Sequence, residues 1–234
     1  MSISDLYSTR IQKTFDDDNA EILAILKAAP KKVLKLINYY KGLPLSYPAT
    51  ISSIESGVVD LDIQQEQAFT IERNRSTFIR SPLFKHDVFA QAQYVNVKKK
   101  AATFVKFSYV EIMAERRNFI RMEPEPNHDA VIESPSGIIE GSLHDISLAG
   151  LKISADHYHP LEINAEMPIR FRLRDLEQTL DMKVSVPAKL VAILDGSQPY
   201  QYKFIISPDK WLERSLSQYI FQRQIEIIKE IKES

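Results

Sequence analysis

The 234-residue chain has no cysteine, only six glycines, a single tryptophan, and no apolar run near the ~20 residues of a membrane-spanning helix. Without cysteine there is no disulfide framework, thiolate zinc site, iron–sulfur cluster or cysteine nucleophile. The six glycines, at positions 42, 57, 137, 141, 150 and 196, assemble neither a Walker loop nor a GxGxxG dinucleotide turn. No GxSxG elbow occurs, and the five histidines show no HExxH spacing. An excess of either charge is also missing, with 30 Lys+Arg against 31 Asp+Glu. That balance excludes a surface that coats DNA or an anionic membrane by charge alone, so any anion recognition must be local. The opening segment is acidic ahead of a short apolar run, unlike an export signal, and the expected location is the cytoplasm.

With 44% hydrophobic residues, the chain is long enough to bury two small cores. Asp18 and Glu21 have capping-box spacing ahead of Ile22, Leu23, Ile25 and Leu26, which predicts a helix stopped by Pro30. A second short helix is predicted over 31–40, ended by Gly42 and Pro44. From there to Val110 the runs ATISSIE, VVDLDI, AFTIE, STFIR, VFAQAQYVNV and TFVKFSYV predict a small antiparallel sheet or barrel. After the charged stretch EIMAERRNFIR come AVIE, GIIEGSLHDI, GLKIS, MPIRFRLR, TLDMKVSVPAKLVAIL and YQYKFII, six further strand candidates. Trp211 then opens an amphipathic helix carrying Leu212, Leu216, Ile220, Ile227 and Ile231. Its stripe is too short for several clean heptads, and packing on the second sheet is expected. The predicted class is mainly β, two small antiparallel barrel-like domains with short N-terminal helices and a C-terminal amphipathic helix. The domains are 1–110 and 111–234, joined without a Gly/Ser linker.

Most chemically suggestive groups have plain readings. His157 and His159 could share a metal, but the sequence places no third ligand, and exposed histidines before Pro160 are expected. Glu123 with Glu125, and Asp16 to Asp18, read as solvated carboxylates. Lys98 to Lys100 read as a hairpin tip, and Arg170, Arg172 and Arg174 as the wet side of a half-buried strand.

Two motifs remain, in fixed order: Arg117-Asn-Phe-Ile-Arg121, an RxxxR ahead of the second strand series, and Asp145-Ile-Ser147-Leu-Ala-Gly150, a DxSxxG within it. Composition alone produces RxxxR about 0.6 times in such a chain, and Arg170 with Arg174 is such an accident, whereas DxSxxG is expected only about 0.03 times. Guanidinium forks suit both the O6/N7 edge of guanine and phosphate oxygens, and they stack on purines. Asp145 could accept from guanine N1 and N2 or orient an arginine, Ser147 could serve the guanine edge or a phosphate, and Gly150 would permit a tight turn or a positive φ. A bland reading also exists, in which Asp145 and Ser147 shape a turn and the arginines neutralise nearby glutamates.

The two motifs together resemble the signature of the PilZ domain, and 113–210 resembles that family throughout. By position and strand content, the N-terminal β-domain makes the whole similar to YcgR-type flagellar brake proteins. The resemblance implies a non-enzymatic receptor for cyclic di-GMP, needing no cofactor, whose domains reorient on binding and act on a protein partner such as the flagellar motor or stator. It implies a ligand site of Arg116, Arg117, Arg121, Asp145, Ser147 and Gly150. Arg116, preceding the first motif arginine, implies two stacked ligands per chain. Neither metal nor nucleic acid is expected as a partner, and a monomer or a dimer is compatible. Alternative readings are a small-barrel module for single-stranded nucleic acid using Lys98 to Lys100, and a PilZ-like scaffold without ligand.

Overall fold

The computed structural model describes residues 6–29, 32–125, 128–174, 181–194, 196 and 198–233. Pro30, Lys31, Thr179 and Leu180, where helix and strand boundaries were expected, lie outside them, as does the side chain of Arg174. The chain divides into two compact units, Ser2–Arg117 with Ile228–Ser234, and Asn118–Ile227. Among the described residues no helix is long and apolar enough to cross a membrane.

The first unit runs β1 (Tyr7–Thr9), α1 (Phe15–Ala28), β2 (Leu34–Tyr40), β3 (Leu43–Glu55), β4 (Val58–Asp62), α2 (Gln65–Asn74), β5 (Ser76–Arg80), β6 (Asp87–Asn96) and β7 (Ala101–Ile112), then a 3₁₀ turn at Met113–Arg116. Its strands are ordered β1-β7-β4-β3-β2-β5-β6. Because β6 pairs with β7 as well, β2 to β7 close into a ring to which β1 is appended. Ile22 and Leu26 of α1 join Leu34, Leu61, Ile79 and Phe104 in its core. Each such side chain contributes roughly 1.5–3 kcal/mol on burial.

Three expectations for this unit are corrected. The first helix begins at Phe15, ahead of Asp18, because the Thr14 hydroxyl accepts from the Asp17 N–H at 3.1 Å and caps it. Asp18 is instead buried, accepting from the backbone N–H of Gln12 at 2.9 Å. Residues 34–40 form a strand where a helix was predicted. Leu34 and Leu36 are buried with Lys35 exposed between them, and Lys41 and Gly42, both at positive φ, turn the chain into β3. AFTIE, predicted as a strand, lies inside α2. Residues 67–71 of that helix are buried consecutively and Glu72 and Arg73 exposed, so no alternation is present, and Arg75 in the left-handed region ends it. Lys98 to Lys100 are exposed at the β6–β7 turn.

The second unit comprises β8 (His128–Ser134), β9 (Gly137–Ser147), β10 (Gly150–Ala155), β11 (Glu166–Arg174), β12 (Asp181–Leu194) and β13 (Tyr200–Ile206), followed by α3 (Lys210–Lys232), which belongs to this unit as far as Ile227. The strands form a closed barrel in the order β10-β13-β12-β11-β8-β9. Ile132, Leu143, Ile153, Ile169, Leu190 and Tyr202 are wholly buried. On α3, Leu212, Leu216, Ile220, Ile227 and Ile231 are buried as the 3.6-residue period requires. Arg170 and Arg172 are exposed, as expected of a half-buried strand.

Candidate functional site

The DxSxxG segment ends β9, turns, and opens β10. On β9, Asp145 pairs with Lys152, but the next partners are Leu143 and Ile153, so His144 is an extra residue and the ladder is bulged there. A bulge re-aims the side chains beside it. Gly150 is glycine for a reason other than the positive φ considered from sequence. Its φ is not in the left-handed region, and a Cβ there would lie 2.7 Å from the Phe204 carbonyl oxygen of β13. Gly141 is constrained in the same way, its Cβ position lying 2.5 Å from the Ser154 carbonyl oxygen. The motif is therefore held by strands packed too closely for a side chain.

Ser147 is buried, and its hydroxyl donates to the Gly150 carbonyl at 3.0 Å, closing the turn. That contact matches the turn-shaping role considered for this residue. Its oxygen retains lone pairs as acceptors, while its hydrogen serves the turn.

The segment after the RxxxR motif is fastened to β9 by one isolated bridge. Met122 N–H donates to the Ile146 carbonyl at 2.9 Å, and Ile146 N–H returns the bond at 3.0 Å. Ile146 lies between Asp145 and Ser147, so this bridge brings the second motif arginine to the DxSxxG motif. The Arg121 Nη1 lies 4.0 Å from Asp145 Oδ1. Arg121 is 31% exposed while the Asp145 side chain is 1% exposed, so a guanidinium rests over a buried carboxylate. Of the two roles open to Asp145, orienting an arginine fits this geometry directly.

Lys152 was not anticipated. Its side chain is as buried as that of Asp145, and its Nζ lies 3.3 Å from Asp145 Oδ2. The signal was a lysine between Leu151 and Ile153 directly after the motif, but without knowledge of the bulge its partner could not be assigned.

Arg116 and Arg117 belong to the first unit and end its 3₁₀ turn. Arg116 is 65% exposed, its Nη1 3.5 Å from the Glu111 carboxylate. Glu111 also forms a close ion pair with Arg10, and that hydrogen bond, more than the nearby charges, holds its carboxyl below the usual range. Arg117 is half-buried, near Tyr39. Burial first, and then the Glu115 charge, pushes the Tyr39 phenol up to about 12, while Arg117 and Arg80 oppose the shift. Arg80, also unanticipated, anchors the turn. Its fork donates to Asp87 at 2.7 and 2.6 Å and to Glu115 at 3.0 and 2.7 Å, fixing the residue before Arg116. A cleft of about 640 Å³ beside it is lined by Arg10, Arg80, Lys85, His86, Asp87 and Glu111, but both its arginines are already paired with carboxylates.

Other candidates stay apart from this chemistry. Glu125 forms a close ion pair with Arg223 of α3, which also donates to the Glu123 backbone carbonyl at 3.3 Å, so one carboxylate and one backbone oxygen tether the helix here. His157 is exposed, and among the described residues no group of three or more His, Cys, Asp or Glu is placed to hold a metal ion.

Residues 115–222 match the family model described as PilZ domain. No curated protein matches the chain. Among solved structures, the chain is similar to YcgR in complex with c-di-GMP from Escherichia coli, at 15% identity and a TM-score of 0.45, covering 100% of this chain and 99% of that one. It is similar to the Bacillus subtilis inhibitor of motility MotI/DgrA at 13% identity and a TM-score of 0.43, covering 84% and 97%. A K. pneumonia MrkH–c-di-GMP complex aligns at 12% identity and a TM-score of 0.44, covering 91% and 96%.

Proposed function

We propose, from the premise that residues 115–222 are a PilZ domain, that this chain is a receptor for cyclic di-GMP. The observation that supports the reading is the Met122–Ile146 bridge, which sets the second arginine of the first motif, Arg121, over Asp145 of the second. Arg121 keeps a partly exposed planar fork suited to guanine O6/N7 or phosphate, and Arg116 and Arg117 precede it in the same segment. Asp145 lies beneath Arg121, its Oδ1 4.0 Å from Nη1. Ser147 and Gly150 keep the turn in shape, Ser147 by its hydrogen bond and Gly150 by the absence of a Cβ.

Arg116, mostly exposed, stacks on an outer guanine and offsets a second pair of phosphates, so that two ligands bind per chain. Clasping orders residues 111–122 and changes the relation of the two units, which turns occupancy into a signal for a protein partner. That partner is a component of the flagellar motor or stator, the outcome is control of motility, and the site of action is cytoplasmic, at the flagellar basal body. The work is recognition, without a catalytic step.

Calorimetric titration with cyclic di-GMP, with GTP and cyclic GMP as controls, tests the receptor reading. Binding at micromolar concentration or tighter, two per chain, is expected, and absence of binding by a folded preparation overturns it. Small-angle scattering with and without ligand tests the reorientation separately.

A further inference from the structure

We propose that Lys152 is a positioning residue that keeps Arg121 available for the ligand, an inference that rests on the cyclic di-GMP reading above. Asp145 and Lys152 face each other across β9 and β10, and each side chain is 1% exposed. A buried carboxylate requires a nearby cation, since isolated ions are strongly disfavoured away from water. Among the described residues, two are within reach of Asp145: Lys152 Nζ at 3.3 Å and Arg121 Nη1 at 4.0 Å. Both Asp145 oxygens are buried and accept no hydrogen bond among the described residues, so nothing but charge holds them.

The nearer, fully buried lysine takes the larger Coulombic share, because attraction grows as distance and local dielectric fall. Arg121 is left at a distance too long for a hydrogen bond, with 31% of its side chain exposed. Its donors can then turn to an incoming planar acceptor pair without first breaking a bidentate carboxylate contact. Remove the ammonium, and among the described residues Arg121 alone is left to neutralise Asp145. A two-bond fork between them becomes the favoured arrangement, and the ligand must compete with it. Lys152 thus prevents the site from closing on itself. The RxxxR and DxSxxG patterns do not include this position.

The test compares wild type, Lys152→Met, Arg121→Ala and the double variant by calorimetry with cyclic di-GMP, and follows the Arg121 guanidinium resonances by NMR without ligand. Lys152→Met is expected to weaken binding about tenfold. Arg121→Ala should cost about 30-fold in the wild-type background but only about threefold beside Lys152→Met, because there Arg121 is already engaged. The ligand-free Lys152→Met spectrum should show a slowly exchanging Arg121 guanidinium absent from wild type. Multiplicative losses with an unchanged Arg121 signal overturn the proposal. If wild type binds no cyclic di-GMP yet the Arg121 signal changes as described, the receptor reading falls while the control of Arg121 by Lys152 stands. Should Lys152→Met fail to fold, Lys152→Gln, which keeps a polar group beside Asp145, decides by the same measurements.

Discussion

Each unit buries a polar cluster, and the two are built on opposite terms. In the first unit, the Asn38 amide donates to the Ser76 carbonyl at 2.7 Å, while its oxygen accepts from Thr77 Oγ1 at 2.7 Å and, in a close contact, from Gln67 Nε2. These groups are neutral and joined by directional bonds, with only Gln67 Oε1 lacking a partner. In the second unit, Asp145 and Lys152 are charged, equally buried, and held without a hydrogen bond on either carboxylate oxygen. A satisfied neutral network specifies one packing and resists change. An ion pair with open acceptors is costly to bury and responds to any charge brought near. The first cluster thus reads as scaffold and the second, on the proposed function, as part of the site, a distinction that composition and burial alone would miss.

The largest expected effect comes from the tight backbone supporting the charged cluster. Gly150→Val should destabilise the barrel by about 3 kcal/mol or more, because its Cβ must displace the Phe204 carbonyl. Chemical denaturation followed by ligand titration would show stability and binding lost together. Next is Asn38→Ala, which strands several buried groups and should cost about 2–3 kcal/mol of stability in urea while leaving cyclic di-GMP affinity unchanged. A loss of affinity there would break the division between scaffold and site. Arg121→Ala should do the reverse, lowering affinity about 30-fold, near 2 kcal/mol, with stability altered by less than about 0.5 kcal/mol.

The smallest effect tests a satisfied carboxylate in the first unit. Asp60 accepts from the hydroxyls of Ser53 and Thr103, each at 2.6 Å, and these bonds, outweighing burial, hold its carboxyl below the ordinary range. Its folded pKa lies below its unfolded one, so its contribution is complete above the ordinary carboxylate pKa and is lost as pH falls through the depressed value. The melting-temperature gap between wild type and Asp60→Asn should therefore narrow as pH is lowered from 7 to about 3.

The barrel's strands were legible because β8 to β13 alternate or carry β-branched runs between clear breaks. Residues 34–40 and 68–72 were not, since both are short apolar runs in which tertiary packing decides between helix and strand. The candidate site was proposed from sequence by its arginines, Asp145, Ser147 and Gly150 as residue types in order. What stayed hidden depends on register. The extra residue at His144 sets Lys152 against Asp145, and Arg80 reaches Glu115 from 35 positions away in the chain. The same limit applies to Gly150, whose constraint comes from β13 and not from its own turn.

The Met122–Ile146 bridge has a consequence for chemical durability. The pairing of this stretch with β9 consists of two hydrogen bonds, against a long ladder for each neighbouring strand, so that pairing opens at lower cost than the ladders beside it. Arg116, Arg117 and Arg121 lie just ahead of it, and a protease that cuts after arginine needs several residues drawn out into its cleft. The segment is thus a built-in scissile tape. Limited trypsin digestion should sever it before either barrel is attacked, and bound nucleotide should lengthen its lifetime, so that occupancy can be read from a gel.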